Sequence, residues 1–169
     1  MQRIPLLGIL MFLGSLVFTP WFTESASRPD TANEISDAER LASYSISRRT
    51  DLIEAVVAIG MHKSTYMRGN IDSLRRVDDQ HAIMDGWLAD LHGSPNPLSF
   101  VVFVGGKKAA VAQTSGERPD VTKAFSLAFG ANKNVGFQVR FRCPSGDQPF
   151  IVGVSQDREY VQLTSPPCP

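Results

Sequence analysis

The sequence predicts an all-β domain of two packed sheets, about seven strands in all, preceded by a hydrophobic helix and a helical stalk. Three observations predict it. Between residues 68 and 163 the apolar residues fall in short or alternating runs, too brief for helices and divided by glycine and proline. The run Leu98–Val104 is almost wholly β-branched or aromatic and stops at Gly105-Gly106, a pair suited to a two-residue hairpin turn. No period of about 20 to 50 residues repeats, so the strands do not build a solenoid.

The chain divides into residues 1–24, 25–66 and 67–169. In the first part, Ile4–Phe22 carries no charge. Nineteen helical residues at about 1.5 Å each span roughly 28 Å, close to the apolar thickness of a bilayer. The segment fits both an uncleaved signal anchor and a cleavable signal peptide, with Ser25 and Ser27 as small residues near a cleavage position. Its length and the Trp21-Phe22 pair at its far end favour the anchor. Both readings put the rest of the chain outside the cytoplasm. It would stand at the inner (cytoplasmic) membrane if anchored through residues 4–22, and would be periplasmic or secreted if cleaved.

Residues 25–33 read as a polar linker. Ser36-Asp37-Ala38-Glu39 has the form of a capping box, so a helix is expected from Ser36 to a stop near Gly60. Its stripe of Ala38, Leu41, Ala42, Ile46, Leu52, Ile53, Val56 and Val57 is packing surface, for the neighbouring domain or a second copy, and serines 43, 45 and 47 interrupt it.

In the third part, Arg68–Asp72 and His81–Met84 are expected to pair as strands. Lys107–Gln113 returns from the Gly105-Gly106 turn, with Ala109 and Val111 on one face and Lys108, Ala110 and Ala112 on the other. Pro119 suits the first turn of a short helix over 119–125 that crosses from one sheet to the other. Gly136–Cys143 alternates Phe137, Val139 and Phe141 against Gln138, Arg140 and Arg142. Phe150–Ser155 and Tyr160–Leu163 complete the set. Trp87, in a strand of a small sandwich, is expected at the centre of the core, where burial stabilises by about 2–3 kcal/mol. The functional alternative is a platform for a sugar ring. Gly86 then marks a bulge or a close backbone approach. Asp90 and Arg118 are expected to pair and to fix the crossing segment on the sheet.

The 17 basic residues balance the 17 acidic ones, so no net field draws the chain to nucleic acid. Cys143 and Cys168 are the only cysteines. In an oxidising compartment they are expected to form a disulfide tying the proline-rich tail to the Gly136–Cys143 strand, with a stabilisation of roughly 3 kcal/mol. His62, His81 and His92 lack zinc-ligand spacing, and neither His81 nor His92 has a context that would make a cysteine a nucleophile. No Gly-x-Ser-x-Gly elbow occurs, and Gly105-Gly106-Lys107 lacks the spacing of a phosphate loop. No catalytic, metal-binding or cofactor-binding residue is therefore assigned.

Gly86, Trp87 and Asp90, then Arg118, Pro119, Asp120 and Val121, then Gly136 and Phe137, resemble in order an uncharacterised bacterial immunoglobulin-like β-sandwich module. That module is found appended to glycosyltransferases, sulfotransferases and surface-polysaccharide proteins, and the likeness covers Arg68–Leu163. It implies an accessory or recognition role at the cell envelope, with an envelope protein or a glycan as partner, and no catalytic mechanism. This chain departs from it in having no attached transferase domain and in adding the two cysteines. The expected function is a non-enzymatic extracytoplasmic interaction module. The alternatives are a carbohydrate-binding module and an enzyme, which would need a cleft lined by convergent polar groups.

Overall fold

The computed structural model describes residues 32–126 and 132–169. Residues 4–22 lie outside them. Among the described residues no helix is long and apolar enough to cross a membrane.

Eight strands form two sheets. Strands β1 (His62–Lys63), β4 (Ser99–Val104), β5 (Lys107–Gln113), β7 (Phe150–Val154) and β8 (Glu159–Leu163) make one five-stranded sheet in the order β1-β8-β7-β4-β5. Strands β2 (Met67–Arg76), β3 (His81–Asp90) and β6 (Gly136–Arg142) make the other, in the order β2-β3-β6. All pairings are antiparallel except β1 with β8. The sheets pack on a shared core in which Met67, Met84, Leu88, Phe100, Val102, Phe141, Ile151 and Leu163 are buried. The expected two-sheet sandwich is what forms. The eighth strand is β1, whose two exposed residues give no apolar signal.

The helical segment is not a stalk. It folds as α1 (Ala32–Ala42) and α2 (Arg49–Ala58), and both lie on the five-stranded sheet as a third layer. Leu41, Ile46, Leu52 and Val56 are buried there with Val101, Phe103, Val152 and Val154. Thus most of the apolar stripe is packing surface, as expected, and its partner is the adjoining sheet, but Ile53 and Val57 are exposed. The serine-rich stretch breaks the helix between 42 and 49 and turns back over the β4–β5 hairpin, where Ile46 donates its N–H to the Gly106 carbonyl at 2.9 Å. Helix α1 begins at Ala32, before the expected cap at Ser36. The capping carboxylate belongs to α2, whose Asp51 accepts the N–H groups of Ser47 (3.0 Å) and Arg48 (2.9 Å).

Local expectations in the hairpin hold with one exception. Gly105 and Gly106 both have positive φ, +57° and +78°, as the turn requires. The register slips between Val102 and Phe103, so β5 carries a bulge at Ala109. Ala109 therefore packs with Ala110 and Ala112 toward the second sheet, and Val111 alone faces the helices. Cys143 and Cys168 are bonded, with Cα atoms 5.6 Å apart, and both are buried in the inter-sheet core.

Candidate recognition face

The helices cover the outer side of the five-stranded sheet, but most of the outer side of β2-β3-β6 is open. Strand β3 decides what that face carries. Ala82, Met84, Gly86 and Leu88 alternate inward, so Ile83, Asp85 and Trp87 point out. Across the ladder the outward rows read Arg75–Ile83–Arg140, Ser73–Asp85–Gln138 and Asn70–Trp87–Gly136.

Trp87 is accordingly not the centre of the sandwich, which corrects the sequence expectation. It is half-buried on the outer face, packed with Ala89, Val121, Val135 and Leu91 where α3 (Pro119–Ala124) crosses the end of the sheet. Its ring lies 5.3 Å from that of Phe125, which is 40% exposed. The signal was present in the sequence. Asp85 and Trp87 are two residues apart in one strand and must share a face, and a carboxylate on the core face would be a buried unpaired charge.

Gly86 takes the close-approach role. A Cβ there would run into the Asn70 carbonyl and come within 2.7 Å of the Phe137 ring. The bulge lies across the ladder, in β2 between Ile71 and Ser73. It puts Asp72 out of register, where its carboxylate accepts from Arg118 Nη1 at 2.6 Å. Arg118 Nε and Nη2 donate to the two oxygens of Asp120 at 2.9 and 2.7 Å. The partners of Arg118 are thus Asp72 and Asp120, and the expected pairing with Asp90 does not form. Asp90 instead accepts the His92 N–H at 2.9 Å and closes the turn after β3. Gly136 lets Arg118 approach, because a Cβ there would sit 2.9 Å from Arg118 Cγ. Pro119 occupies the start of α3, as expected.

The central carboxylate, Asp85, accepts from Gln138 Nε2 (2.6 Å) and Ser73 Oγ (2.9 Å), with Arg75 Nε at 3.5 Å. These donors, Gln138 first, hold its pKa below the ordinary carboxylate range. At the hairpin end, the Gln80 N–H and the His81 ring bring Asp78 down to about 2, and Arg140 Nη2 lies 2.8 Å from it. Arg118 brings Asp120 down to about 2, and the two carboxylates in turn raise the guanidinium. Asp78, Asp85, Asp120 and Arg118 are therefore ionised at neutral pH. Asp72, Asp85, Arg118 and Gln138, with Ser115 and Glu117, line an open groove of about 310 Å³. Of this polar set, sequence reasoning had singled out Arg118 and Asp120 and missed Asp72, Ser73, Asp85, Gln138 and Arg140.

No protein-family model matches the chain, and no curated protein and no solved structure is found similar to it. The chemistry of the face must therefore be read from its own side chains. Asp72, Asp85, Arg118, Asp120, Asp78 and Arg140 each have a partner of opposite sign or a fixed donor, so the face offers oriented acceptors and donors. Among the described residues no three His, Cys, Asp or Glu side chains gather as a metal ion would require.

Proposed function

We propose that the chain is a non-enzymatic accessory module of the bacterial cell envelope, an immunoglobulin-like sandwich held outside the cytoplasm that meets its partner through the open face of β2-β3-β6. The observation that carries the reading is the ordered polar lattice on that face, Arg118 between Asp72 and Asp120 beside Asp85 held by Gln138, Ser73 and Arg75. Such a surface is already oriented, so binding does not have to order rotamer-rich side chains. The Cys143–Cys168 bond supports an oxidising compartment, and the uncharged run 4–22 supports export. The order of the Gly86-Trp87, Arg118-Pro119-Asp120 and Gly136-Phe137 pieces supports the immunoglobulin-like assignment. The test is site-specific photo-crosslinking in the native envelope, with the probe at Arg140 on the open face or at Glu54 on the helical layer. The reading expects one defined adduct from position 140 that disappears in Asp85→Ala/Gln138→Ala. Equal labelling from both positions would refute it.

Carbohydrate binding is the second reading, favoured by the Trp87–Phe125 pair beside carboxylates that can accept sugar hydroxyls. It expects glycan-array binding that is lost in Phe125→Ala while the fold survives. An array without signal at high protein concentration removes it.

A further inference from the structure

Helix α2 has apolar residues on both of its sides. Leu52, Ala55 and Val56 enter the core. Arg49, Ile53 and Val57 follow one another at four-residue steps along the other side, with Ile53 46% and Val57 69% exposed. Beside this stripe a groove of about 250 Å³ opens between α2 and β8, lined by Arg49, Ile53, Lys63 and Tyr160 among others. Arg49 and Lys63 are exposed at its margin, and Arg48, just before α2, is exposed with its guanidinium 3.3 Å from Asp51. The acidic groups nearby are mostly engaged. Asp51 caps α2, Asp37 lies near Arg40 and Arg158, and Glu159 accepts from Ser64 with His62 3.3 Å away. Among the described residues nearby, Glu54 on the flank of the stripe and Asp157 in the β7–β8 turn are open.

Arg158 lies between the two helices. Its Nε lies 3.7 Å from Asp37, midway along α1, and its Nη1 lies 3.6 Å from where a Cβ on Gly60 would stand, just past the end of α2. The middle of α1 and the Val57 end of α2 therefore meet at Arg158. Residues 23–31 separate the apolar run 4–22 from α1 and reach at most roughly 30 Å when fully extended.

We propose that the exposed side of α2 rests on a bilayer surface carrying anionic headgroups, with Ile53 and Val57 at the headgroup boundary and Arg48, Arg49 and Lys63 facing lipid phosphates. This rests on residues 4–22 serving as a membrane anchor. The helical layer and the open β2-β3-β6 face lie on opposite sides of the sandwich, and the stripe opens toward the β1–β8 edge, so this docking leaves the recognition face uncovered.

The test uses the full chain reconstituted into vesicles of phosphatidylglycerol and phosphatidylcholine with brominated acyl chains. Tryptophan is placed at the stripe (Val57→Trp) or at the exposed β2–β3 turn of the other sheet (Val77→Trp), and the parent chain sets the background from its own tryptophans. The expected result is co-flotation with the vesicles, loss of the added fluorescence at position 57 but not at 77, and a smaller loss when phosphatidylglycerol is omitted. A chain that does not float refutes the anchor, and this docking with it. A chain that floats but shows no greater quenching at 57 than at 77, or quenching indifferent to lipid charge, overturns the docking alone. Self-association in detergent that Val57→Glu abolishes would name a second copy as the occupant and also overturn it.

Discussion

The close approach at Gly86 sets a quantitative expectation. In Gly86→Ala the new methyl meets the Asn70 carbonyl across the ladder and the Phe137 ring at 2.7 and 3.2 Å. Neither neighbour can withdraw. Asn70 belongs to the strand paired with β3, and the Phe137 ring is 6% exposed with its centroid 4.4 Å from that of Phe100. Overpacking a rigid site costs about 1–3 kcal/mol, and collision with strand backbone puts this case at the upper end, about 3 kcal/mol. For a unit of this size that corresponds to a fall in Tm of roughly 10 °C. Gly116→Ala is the control, since its nearest neighbours are at 3.6 Å and beyond. It is expected to stay within about 1 kcal/mol of the parent, or to gain slightly from a stiffer unfolded chain. Urea titration of the three proteins, fitted with a common m-value, gives both differences. The double variant Gly86→Ala/Phe137→Leu should recover only part of the loss, because the Asn70 carbonyl remains in the way. A Gly86→Ala protein within about 0.5 kcal/mol of the parent would refute the reasoning, since an error that small is the limit of such comparisons.

Four further outcomes are expected. Leu41→Ala should cost about 2–5 kcal/mol by leaving a cavity between α1 and the five-stranded sheet, while Ile53→Ala should change stability by less than about 0.5 kcal/mol. Equal, small effects in thermal melts would return the helices to the role of a detached stalk. Cys143→Ser/Cys168→Ser removes a link across 25 residues and should cost about 3–4 kcal/mol by the loop-entropy relation, read from urea midpoints under non-reducing conditions. Asp78 has a folded pKa of about 2 against an ordinary 3.8, so its contribution is fully present above 3.8 and lost as pH falls toward 2. The stability difference between parent and Asp78→Asn should therefore be flat at neutral pH and shrink in that acid window, and a difference that grows with acidification would contradict the sign. Arg118→Lys should lose the two-point contact with Asp120 and destabilise nearly as much as Arg118→Ala, about 1–2 kcal/mol, because an ammonium cannot reproduce the fork. Asp90→Ala, by contrast, should not couple to either substitution in a double-mutant cycle.

The parts of the fold legible in the sequence are those where one local rule is decisive. Gly105-Gly106 announces its hairpin because two consecutive positive φ values exclude most other residues. The alternation of Phe137, Val139 and Phe141 with Gln138, Arg140 and Arg142 gives β6 its two faces. The rest depends on what packs against what. A periodic stripe says that Leu41 and Leu52 are covered but does not name the sheet that covers them. Helix α2, with Ile53 and Val57 outside and Leu52 and Val56 inside, has no clean polar face to show its orientation. A bulge shifts the alternation by one residue without any mark in composition, which is why Ala109 changes faces and Asp72 comes within reach of Arg118. The pairing of Arg118 with Asp90 failed for the same reason, since nearness of two strands does not fix which side chains share a face.

The motif residues and the polar lattice constrain the molecule in different ways. Gly86 is needed because Phe137 and Asn70 close over it, Gly136 because Arg118 lies against it, Pro119 because a helix starts there, and Trp87 because α3 must be seated on the sheet. Each of these requirements comes from the architecture, and each holds whatever the partner is. Asp85, Gln138, Arg75 and Arg140 are under no such requirement, because outward positions of a strand accept many polar residues at little cost. Yet Gln138 and Arg75 converge on the Asp85 carboxylate, and Arg140 holds the turn beside it through Asp78. The glycines, Pro119 and Trp87 therefore carry the fold, and on the proposed function the selectivity of the open face comes from outward side chains such as Asp85, Gln138, Arg75 and Arg140. Substitutions that exchange this row while keeping the glycines and Trp87 should change what the face binds without changing the Tm by more than a few degrees.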